Sequence, residues 1–284
     1  MSSTPFSRVA VLSPGLLGGS ITKCLAAKND LESLSVWARN PEVLTQIDAD
    51  QLGINTFEAI EEAVSDADLV VLCSPVTVMP DLVQRISQNL KPGAMITDVG
   101  SSKSWLQKNI PPLLPSSGLS WIGSHPMAGS ENGGYESSRA DLFKGATTII
   151  TTDAAENEQL ERLEAFWTSC GSSQVLRMSS EEHDDAIASI SHLPHLLSAL
   201  LMNATEEEHL SCAGPGFRDM TRIAAGNPSL WKSILSTNRE AVLRSVNAIQ
   251  EQLSQTSAFL SSDDFDSVYN LLDEAAQKRN RFYP

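Results

Sequence analysis

The stretch RVAVLSPGLLGGS, residues 8–20, places an apolar strand directly before a glycine-rich turn and a helix. We predict the strand over Arg8–Leu12 and a helix that continues through Ser20–Ala27. Backbone N–H groups at the start of such a helix point outward, and the helix dipole favours negative charge there. The stretch therefore predicts a site for the pyrophosphate of a dinucleotide.

The glycines of this turn match the dinucleotide fingerprint G-x-G-x-x-G at its second and third positions only. Gly15 lets the backbone approach the phosphates, Gly18 lets the helix pack closely on the strand, and Ser13 stands in place of the first glycine. An incomplete fingerprint is weak evidence by itself, but its position after the first strand of an alternating β/α region strengthens it. The residues predicted to contact the cofactor here are Ser13, Gly15, Leu16, Leu17 and Gly18, together with Ser74 after a later strand.

The end of the second predicted strand, Leu34–Trp37, indicates which dinucleotide binds. NAD enzymes usually carry an acid about twenty residues after the glycine turn, where it contacts the ribose 2′-hydroxyl. This chain has Ala38 at that place, and Arg39 follows at once. An arginine suits the 2′-phosphate of NADP, although Arg39 is equally explained as an exposed loop residue. We therefore expect NADP and keep NAD as the alternative.

Strands and helices alternate through the first part of the chain, as is typical of a parallel sheet covered on both faces. Later strands are predicted at Asp68–Cys73, Ala94–Asp98, Trp121–Gly123, Thr147–Thr151 and Gln174–Arg177. Long helical patterns follow, at Glu181–Thr205, Pro228–Leu260 and Ser262–Asn280. The predicted fold class is α/β, with a Rossmann-type dinucleotide-binding domain at residues 1–179. An all-helical substrate-binding and dimerisation domain follows at residues 180–284, with the substrate cleft between the two.

Composition and charge exclude several classes of protein. The 284 residues include 35 Asp and Glu against 20 Lys and Arg, a formal net charge of −15. Such a surface repels phosphate backbones, so we expect no nucleic-acid partner. No apolar run is long enough to span a membrane and no signal peptide is evident, so we expect a cytoplasmic protein without membrane contact. The four cysteines have neither disulfide nor metal-ligand spacing, and we expect no metal site.

Four later segments carry most of the remaining chemistry. They are Asp98–Lys103 (DVGSSK), Gly123–Glu131 (GSHPMAGSE), Ser191–His195 (SHLPH) and Gly216–Ala224 (GFRDMTRIA). In this order they resemble the prephenate and arogenate dehydrogenases of tyrosine biosynthesis, and the similarity runs from Val9 to the final helices. The resemblance implies oxidative decarboxylation of prephenate to 4-hydroxyphenylpyruvate with NAD(P)⁺ as hydride acceptor. Arogenate, converted to tyrosine, is the alternative substrate.

That chemistry requires a base with a near-neutral pKa, a hydride acceptor and cations for two carboxylates. The base must remove the proton of the ring hydroxyl of the substrate. His125 suits this role because it follows a strand end on the side where cofactor clefts open, and Ser101 can hydrogen-bond the same hydroxyl. The resemblance implies these two roles as well. It also implies that Arg222 binds the substrate carboxylate and that His195 lines the substrate pocket. Glu131 is expected to hold one of these cations when the site is empty.

Other polar residues of these segments are interpreted as structural. Pro194 interrupts its helix, so His192 is assigned to carbonyls freed by the break. His183 precedes two aspartates and is interpreted as part of a solvated, acidic helix start. Lys103 either pairs with Asp98 or is exposed.

Two rival functions fit the same architecture. β-Hydroxyacid and imine reductases are expected to carry a catalytic lysine on the helical side, and Glu181–Thr205 contains none. A regulator without chemistry would bind the cofactor but would not reduce it with any cyclohexadienol. Asn227 offers no acid for the ammonium group of arogenate, which favours prephenate, whereas spacing does not decide between Arg218 and Arg222. We also predict a homodimer formed through long amphipathic helices such as Ser229–Leu260.

Overall fold

The computed structural model describes residues 4–115, 118–130, 132–153 and 155–283. Its first part contains a six-stranded parallel sheet that begins with the strand before the glycine-rich turn. Its strands are β1 Arg8–Leu12, β2 Ser33–Trp37, β3 Asn55–Phe57, β4 Leu69–Leu72, β5 Met95–Asp98 and β6 Ser120–Trp121. Their order is β3-β2-β1-β4-β5-β6. The direction of winding therefore reverses between β1 and β4, and their carboxyl ends border the crevice where doubly wound folds bind ligands. The predicted fold class is confirmed.

Both faces of this sheet are buried at its centre, which explains why β4 and residues 9–12 of β1 are apolar throughout rather than alternating. Val9 and Val11 of β1 enter one core cluster, whereas Ala10 and Leu12 enter the other. The helices of this region are α1 Leu16–Lys28, α2 Pro41–Ala49, α3 Ile60–Val64, α4 Met79–Ile86 and α5 Ser104–Asn109. Asn40 caps α2 as its sequence predicts, since its side chain accepts a hydrogen bond from the backbone N–H of Glu42 at 3.1 Å.

A second sheet of three strands follows the first. It contains β7 Ser124–Pro126, antiparallel to β8 Thr147–Thr151, which pairs in parallel with β9 Gln174–Met178. Helix α6 Asn157–Ser169 connects β8 to β9. The predicted strand Trp121–Gly123 is therefore wrong in its bounds, and His125 lies within a strand rather than after one. Ile122 and Gly123 separate β6 from β7, and a Cβ atom at Gly123 would lie only 2.9 Å from Cδ of Lys103.

The rest of the chain is helical in its described residues. The elements are α7 Ser180–Ile187, a π-helical turn Ala188–His192, α8 Leu193–Ala204, a 3₁₀ helix Glu207–Cys212, α9 Pro215–Thr221, a 3₁₀ turn Arg222–Ala225, α10 Pro228–Thr237, α11 Arg239–Ser261 and α12 Phe265–Phe282. The predicted helix Pro228–Leu260 is thus two helices. They separate at Asn238, whose buried side-chain amide donates to the backbone carbonyl of Asp184 at 2.8 Å.

By its internal contacts the chain divides into two units, Met1–Asn238 and Arg239–Pro284. The first contains both sheets and every helix up to α10, and the second is a pair of packed helices, α11 and α12. Among the described residues, no helix is both long enough and apolar enough to cross a bilayer.

Candidate active site

The turn between β1 and α1 has the geometry of a dinucleotide site. Ser13 adopts φ +66°, in the left-handed region that normally favours glycine, and its N–H donates to the carbonyl of Trp37 at 2.8 Å. A Cβ atom at Gly15 would meet nothing within 4 Å, so this side of the turn is open to a ligand. A Cβ atom at Gly18 would lie 2.9 Å from Cβ of Cys73, so only glycine lets α1 pack on the end of β4.

The other predicted cofactor residues lie at the same edge of the sheet. Leu16 and Leu17 form the first turn of α1, a helix of 13 residues whose N–H groups face the open side of the turn. Ser74 is buried just beyond the carboxyl end of β4. Ala38 is buried and Arg39 is exposed where β2 ends, next to the backbone that Ser13 contacts. These residues fit a dinucleotide whose pyrophosphate lies at the start of α1.

His125 ends a hydrogen-bonded chain of three buried side chains. Its Nδ1 lies 2.9 Å from Nε2 of His183, and Nδ1 of His183 lies 2.8 Å from Oδ1 of Asp184. His183 is completely buried, whereas 8% of His125 remains exposed. His125 is therefore the member of the chain that a ligand can reach. The interpretation of His183 as part of a solvated helix start is wrong, because α5 and β8 pack against α7 and the His183 side chain is completely buried.

The protonation states of this chain follow from its surroundings. Burial lowers the pKa of His125 well below its ordinary value, and the neighbouring His183 and Lys103 lower it further. Burial also lowers the pKa of His183, so both rings are neutral at pH 7. Burial by itself would raise the pKa of Asp184, but hydrogen bonds from His183 and from two backbone N–H groups bring it below its ordinary value. Asp184 is therefore a carboxylate.

A carboxylate can only accept hydrogen bonds, and this fixes the direction of every bond in the chain. Nδ1 of His183 donates to Asp184, which leaves Nε2 of His183 as an acceptor. Nδ1 of His125 then donates to that nitrogen, so the lone pair of His125 lies on its outer nitrogen, Nε2. This arrangement presents a neutral, oriented base.

Asp184 also holds the loop that carries Ser101. Its Oδ1 accepts the backbone N–H of Lys103 at 2.7 Å, and its Oδ2 accepts that of Ser104 at 2.9 Å. Ser101 is half-buried, two residues before this anchor. Because one carboxylate holds both the loop and the His183 ring, the positions of Ser101 and His125 are set by the same group.

The buried pair formed by Asp98 and Lys103 anchors the start of that loop. The carboxylate of Asp98 accepts hydrogen bonds from the ammonium of Lys103, from Gly100 N at 2.7 Å and from Ser124 N at 3.0 Å. The Asp98 and Lys103 side chains are at most 1% exposed, so Lys103 is paired rather than solvent-facing. Burial raises the pKa of Asp98 and lowers that of Lys103. Since Ser124 precedes His125, the pair also fixes the start of β7.

His195 lies on α8, where its ring stacks on that of Trp231. The ring centroids are 3.5 Å apart and the planes differ by 12°. Gly226 makes room for the stack, because a Cβ atom there would lie 2.8 Å from Cε1 of His195. The Nδ1 atom of His195 is buried without a hydrogen-bond partner among the described residues, as expected of a polar atom that meets a ligand.

The prediction that His192 satisfies carbonyls freed by the helix break is wrong. The Nδ1 atom of His192 accepts a hydrogen bond from the amide of Asn238 at 3.2 Å, rather than the ring donating to carbonyls freed by the helix break. Burial lowers the pKa of His192 to about 4, so the ring is neutral. The amide of Asn238 thus joins the end of α10 to α7 and to the π-helical turn.

The remaining predicted site residues lie on the helical side. Arg222 is exposed in the 3₁₀ turn Arg222–Ala225, which packs against α8, the helix that carries His195. Arg218 is also exposed, one turn earlier on α9. Asn227 caps α10, and its side-chain oxygen accepts the N–H of Ser229 at 2.9 Å, so it is engaged within its own helix. Glu131 lies outside the described residues.

Two family models match consecutive parts of the chain. Residues 24–176 match prephenate dehydrogenase, nucleotide-binding domain, and residues 179–274 match prephenate dehydrogenase, dimerization domain. The chain belongs to the prephenate dehydrogenase family. The enzyme class predicted from the sequence, a nicotinamide-dependent oxidoreductase of this family, is thereby confirmed.

Similar proteins cover nearly the whole chain. The cyclohexadienyl dehydrogenase of Zymomonas mobilis is 31% identical, over 97% of this chain and 96% of its own length. The structure of prephenate dehydrogenase from A. aeolicus, in complex with hydroxyphenyl propionate and NAD⁺, has a TM-score of 0.87 at 27% identity and covers 99% of both chains. Synechocystis arogenate dehydrogenase has a TM-score of 0.84 at 26% identity, covering 97% of this chain and 99% of that one.

Sequence reasoning missed three residues of this site: His183, Asp184 and Trp231. A signal for His183 is present in the sequence. Ser179 and Glu182 form a capping box, so the polar contacts at the start of α7 are already made without His183. His183 then lies four residues before the buried Ile187, on the inward face of the helix. Trp231 has no comparable signal, because its stack depends on the separate helix α8.

Proposed function

We propose that this chain oxidises and decarboxylates prephenate to 4-hydroxyphenylpyruvate, with NAD(P)⁺ as the hydride acceptor. The hydrogen-bonded chain from Asp184 through His183 to His125 is the observation that carries the proposal. It supplies a neutral base whose second ring nitrogen, Nε2, carries the lone pair that can accept a proton. Curated relatives from Lactococcus lactis and Bacillus subtilis, named prephenate dehydrogenase, cover 96% and 94% of this chain and add support.

In the proposed reaction His125 removes the proton of the ring hydroxyl through its Nε2. The nicotinamide of the bound cofactor supplies the acceptor for hydride from the carbinol carbon. Loss of proton and hydride gives a dienone, whose carbonyl is conjugated with the carbon that bears the carboxylate. The carbonyl accepts the electrons released as CO₂ departs, and aromatisation makes the step effectively irreversible. Ser101 orients the hydroxyl toward His125, and the negative charge of Asp184 stabilises the imidazolium that His125 becomes.

His183 acts in this proposal as a positioning residue, and His183→Gln tests it. We expect kcat to fall roughly 10- to 100-fold, as for other residues that orient a catalytic group. The pH profile should change as well. The base is active when neutral, so kcat/KM falls as pH drops through the pKa of His125. His183 is one of the groups that lower that pKa, so its removal should shift the acid limb to higher pH.

The wild-type acid limb is expected below pH 6.5, the ordinary histidine value, because burial lowers the pKa of His125. His209→Gln is the matched control, since His209 is exposed on the 3₁₀ helix Glu207–Cys212 and should leave both kcat and the profile unchanged. A lower kcat in His183→Gln with an unmoved acid limb would mean that His183 is merely structural.

Arg222 is assigned to the substrate carboxylate, and Arg222→Ala is expected to raise the KM for prephenate. Loss of a hydrogen bond between two charged groups weakens binding roughly 10- to 100-fold. The cofactor KM should not change. Arg218→Ala serves as the control, since it alters a second exposed guanidinium of the same segment. If Arg218→Ala has the larger effect, the assignment passes to that residue.

The exposed Arg39 and the absence of an acid at Ala38 support a preference for NADP. Arg39→Ala is then expected to raise the KM for NADP roughly tenfold or more, because a charge-assisted bond to the 2′-phosphate is lost. The KM for NAD should stay nearly constant. An equal change in the KM for both cofactors, or no change in the KM for NADP, would mean that Arg39 is a solvent-exposed loop residue. Either result would favour NAD as the cofactor.

Arogenate is the second candidate substrate, favoured by the similarity to the Synechocystis arogenate dehydrogenase. Asn227 no longer separates the two substrates, because its side chain caps α10. The deciding assay is a matrix of prephenate and arogenate against NADP and NAD, scored by kcat/KM. The proposal expects the highest value for prephenate with NADP. A higher value for arogenate would reassign the substrate, and no reduction in any combination would overturn the proposed activity.

We propose that the protein is a homodimer formed through its C-terminal helices. Large apolar side chains are exposed on α11 and α12, among them Leu253, Phe265, Tyr269 and Leu272. The match of residues 179–274 to a dimerization domain supports this proposal. Analytical ultracentrifugation at micromolar concentration should give the mass of two chains, and a mass of one chain would contradict it. The domain boundary at residue 179 and the cytoplasmic location stay predictions.

A further inference from the structure

Two cysteines that are 146 positions apart in sequence meet in the first unit of the fold. Cys24 lies on α1, and its Sγ is 3.5 Å from the backbone carbonyl of Cys170, the residue that ends α6. The thiol of Cys24 is the donor in this contact, and both cysteines line the same surface groove. Their separation in sequence gives no hint of this pair, and both are free thiols in the structure.

The pair borders a surface groove of about 620 Å³ at the end of α1 opposite the dinucleotide turn. Lys28 lies one helical turn after Cys24 and lines the same groove. Its Nζ is buried and has no hydrogen-bond partner among the described residues, so its positive charge is not neutralised there by a direct contact. Two thiols and this ammonium therefore lie together at the groove, whose other charged lining residues are Asp30, Asp141 and Lys144.

This environment favours the thiolate of Cys24. Hydrogen bonding with the Cys170 side chain and the charge of Lys28 lower the pKa of Cys24 to about 7, against the opposing effects of burial and of the negative charge of Asp30. The thiolate is the form of cysteine that attacks electrophiles and peroxides. Cys73 provides a contrast within the same domain, because burial raises the pKa of its thiol.

We propose that Cys24 is an oxidation site, at which a hydroperoxide forms a reversible disulfide between Cys24 and Cys170. The thiolate of Cys24 attacks one peroxide oxygen, the O–O bond breaks, and protonation gives sulfenic acid and one water or alcohol. The sulfur of Cys170 then attacks the sulfenic sulfur, the S–O bond breaks, and a second water leaves with the proton of Cys170. The two thiols lose two electrons and the hydroperoxide gains them. A dithiol reductant reverses the reaction.

The test treats the full-length protein with hydrogen peroxide, blocks the remaining thiols after denaturation and maps the peptides by mass spectrometry. We expect a cross-linked peptide joining Cys24 to Cys170 that dithiothreitol removes. Cys170→Ser should stop the reaction at the sulfenic acid of Cys24, which dimedone traps. Cys24→Ser should leave Cys170 as a thiol at the same peroxide dose. In untreated protein, iodoacetamide should label Cys24 at least tenfold faster than Cys73.

The outcome does not depend on the proposed enzymatic activity, because every readout is a covalent mass. The variant Cys212→Ser removes the exposed cysteine and with it disulfides between molecules, and the internal cross-link should persist in it. The proposal is overturned if Cys24 stays a free thiol at a dose that oxidises Cys212. It is also overturned if Cys24 is oxidised but pairs with a cysteine other than Cys170.

Discussion

His125→Asn is expected to lower kcat by roughly 10²- to 10⁴-fold, the usual contribution of a general base. Asparagine has no nitrogen lone pair to accept the hydroxyl proton. Its amide can still donate to Nε2 of His183, so the chain ending at Asp184 keeps its partners. The dissociation constant for NADP, measured by quenching of tryptophan fluorescence, should remain within about twofold of wild type, since the dinucleotide turn is unaltered.

Two controls accompany this variant. His209→Asn changes an exposed histidine and should retain wild-type turnover. Circular dichroism of His125→Asn should match wild type, so that lost activity is not lost structure. Unchanged turnover in His125→Asn would remove His125 from the reaction, and parallel loss of cofactor binding would show that it supports the fold instead.

Lys103→Met is expected to lower the free energy of unfolding by roughly 3–5 kcal/mol, because it leaves a buried carboxylate without its counter-charge. Asp98 is completely buried, and Lys103 is its only cationic partner among the described residues. The loop from Val99 to Lys103 and the start of β7 depend on the same carboxylate. Equilibrium unfolding in urea measures the loss.

A surface ion pair serves as the control for Lys103→Met, and a double variant tests whether the unpaired carboxylate causes the loss of stability. Arg85 pairs with Glu61 at 3.1 Å, but their side chains are 52% and 39% exposed, so Arg85→Met should cost less than about 1 kcal/mol. Adding Asp98→Asn to Lys103→Met removes the unpaired charge and should recover much of the stability. If Lys103→Met costs no more than Arg85→Met, the buried pair does not hold this part of the fold.

The sequence predicts the sheet and the dinucleotide turn well because both follow from local patterns. After Arg8, strand β1 is buried on both faces and therefore continuously apolar, and the turn after it is built from adjacent residues. Gly18 is required by its contact with Cys73, which is distant in sequence but implied by the strand order of the fold. For the same reason the positions of Ser74 and Arg39 at the ends of β4 and β2 are predictable.

The sequence predicts the proposed catalytic centre only in part, because the residues that support it are far apart in the chain. His125 is recognised from its own segment, whereas His183 lies 58 positions later in an acidic stretch. Acidic residues at a helix start are usually solvated. Only the packing of α7 against α5 and β8 buries His183 and Asp184. The break at Asn238 is similar, since its amide is used by Asp184 and His192 rather than by its own helix.

The ratio of CO₂ released to cofactor reduced tests the proposed oxidative decarboxylation directly. Wild-type protein is supplied with prephenate and NADP, and the reduced cofactor and released CO₂ are measured in the same sample. We predict one CO₂ per reduced nicotinamide, with 4-hydroxyphenylpyruvate as the product, and neither signal above background in His125→Asn. Reduced nicotinamide without CO₂, or no reduction with either prephenate or arogenate, would contradict it.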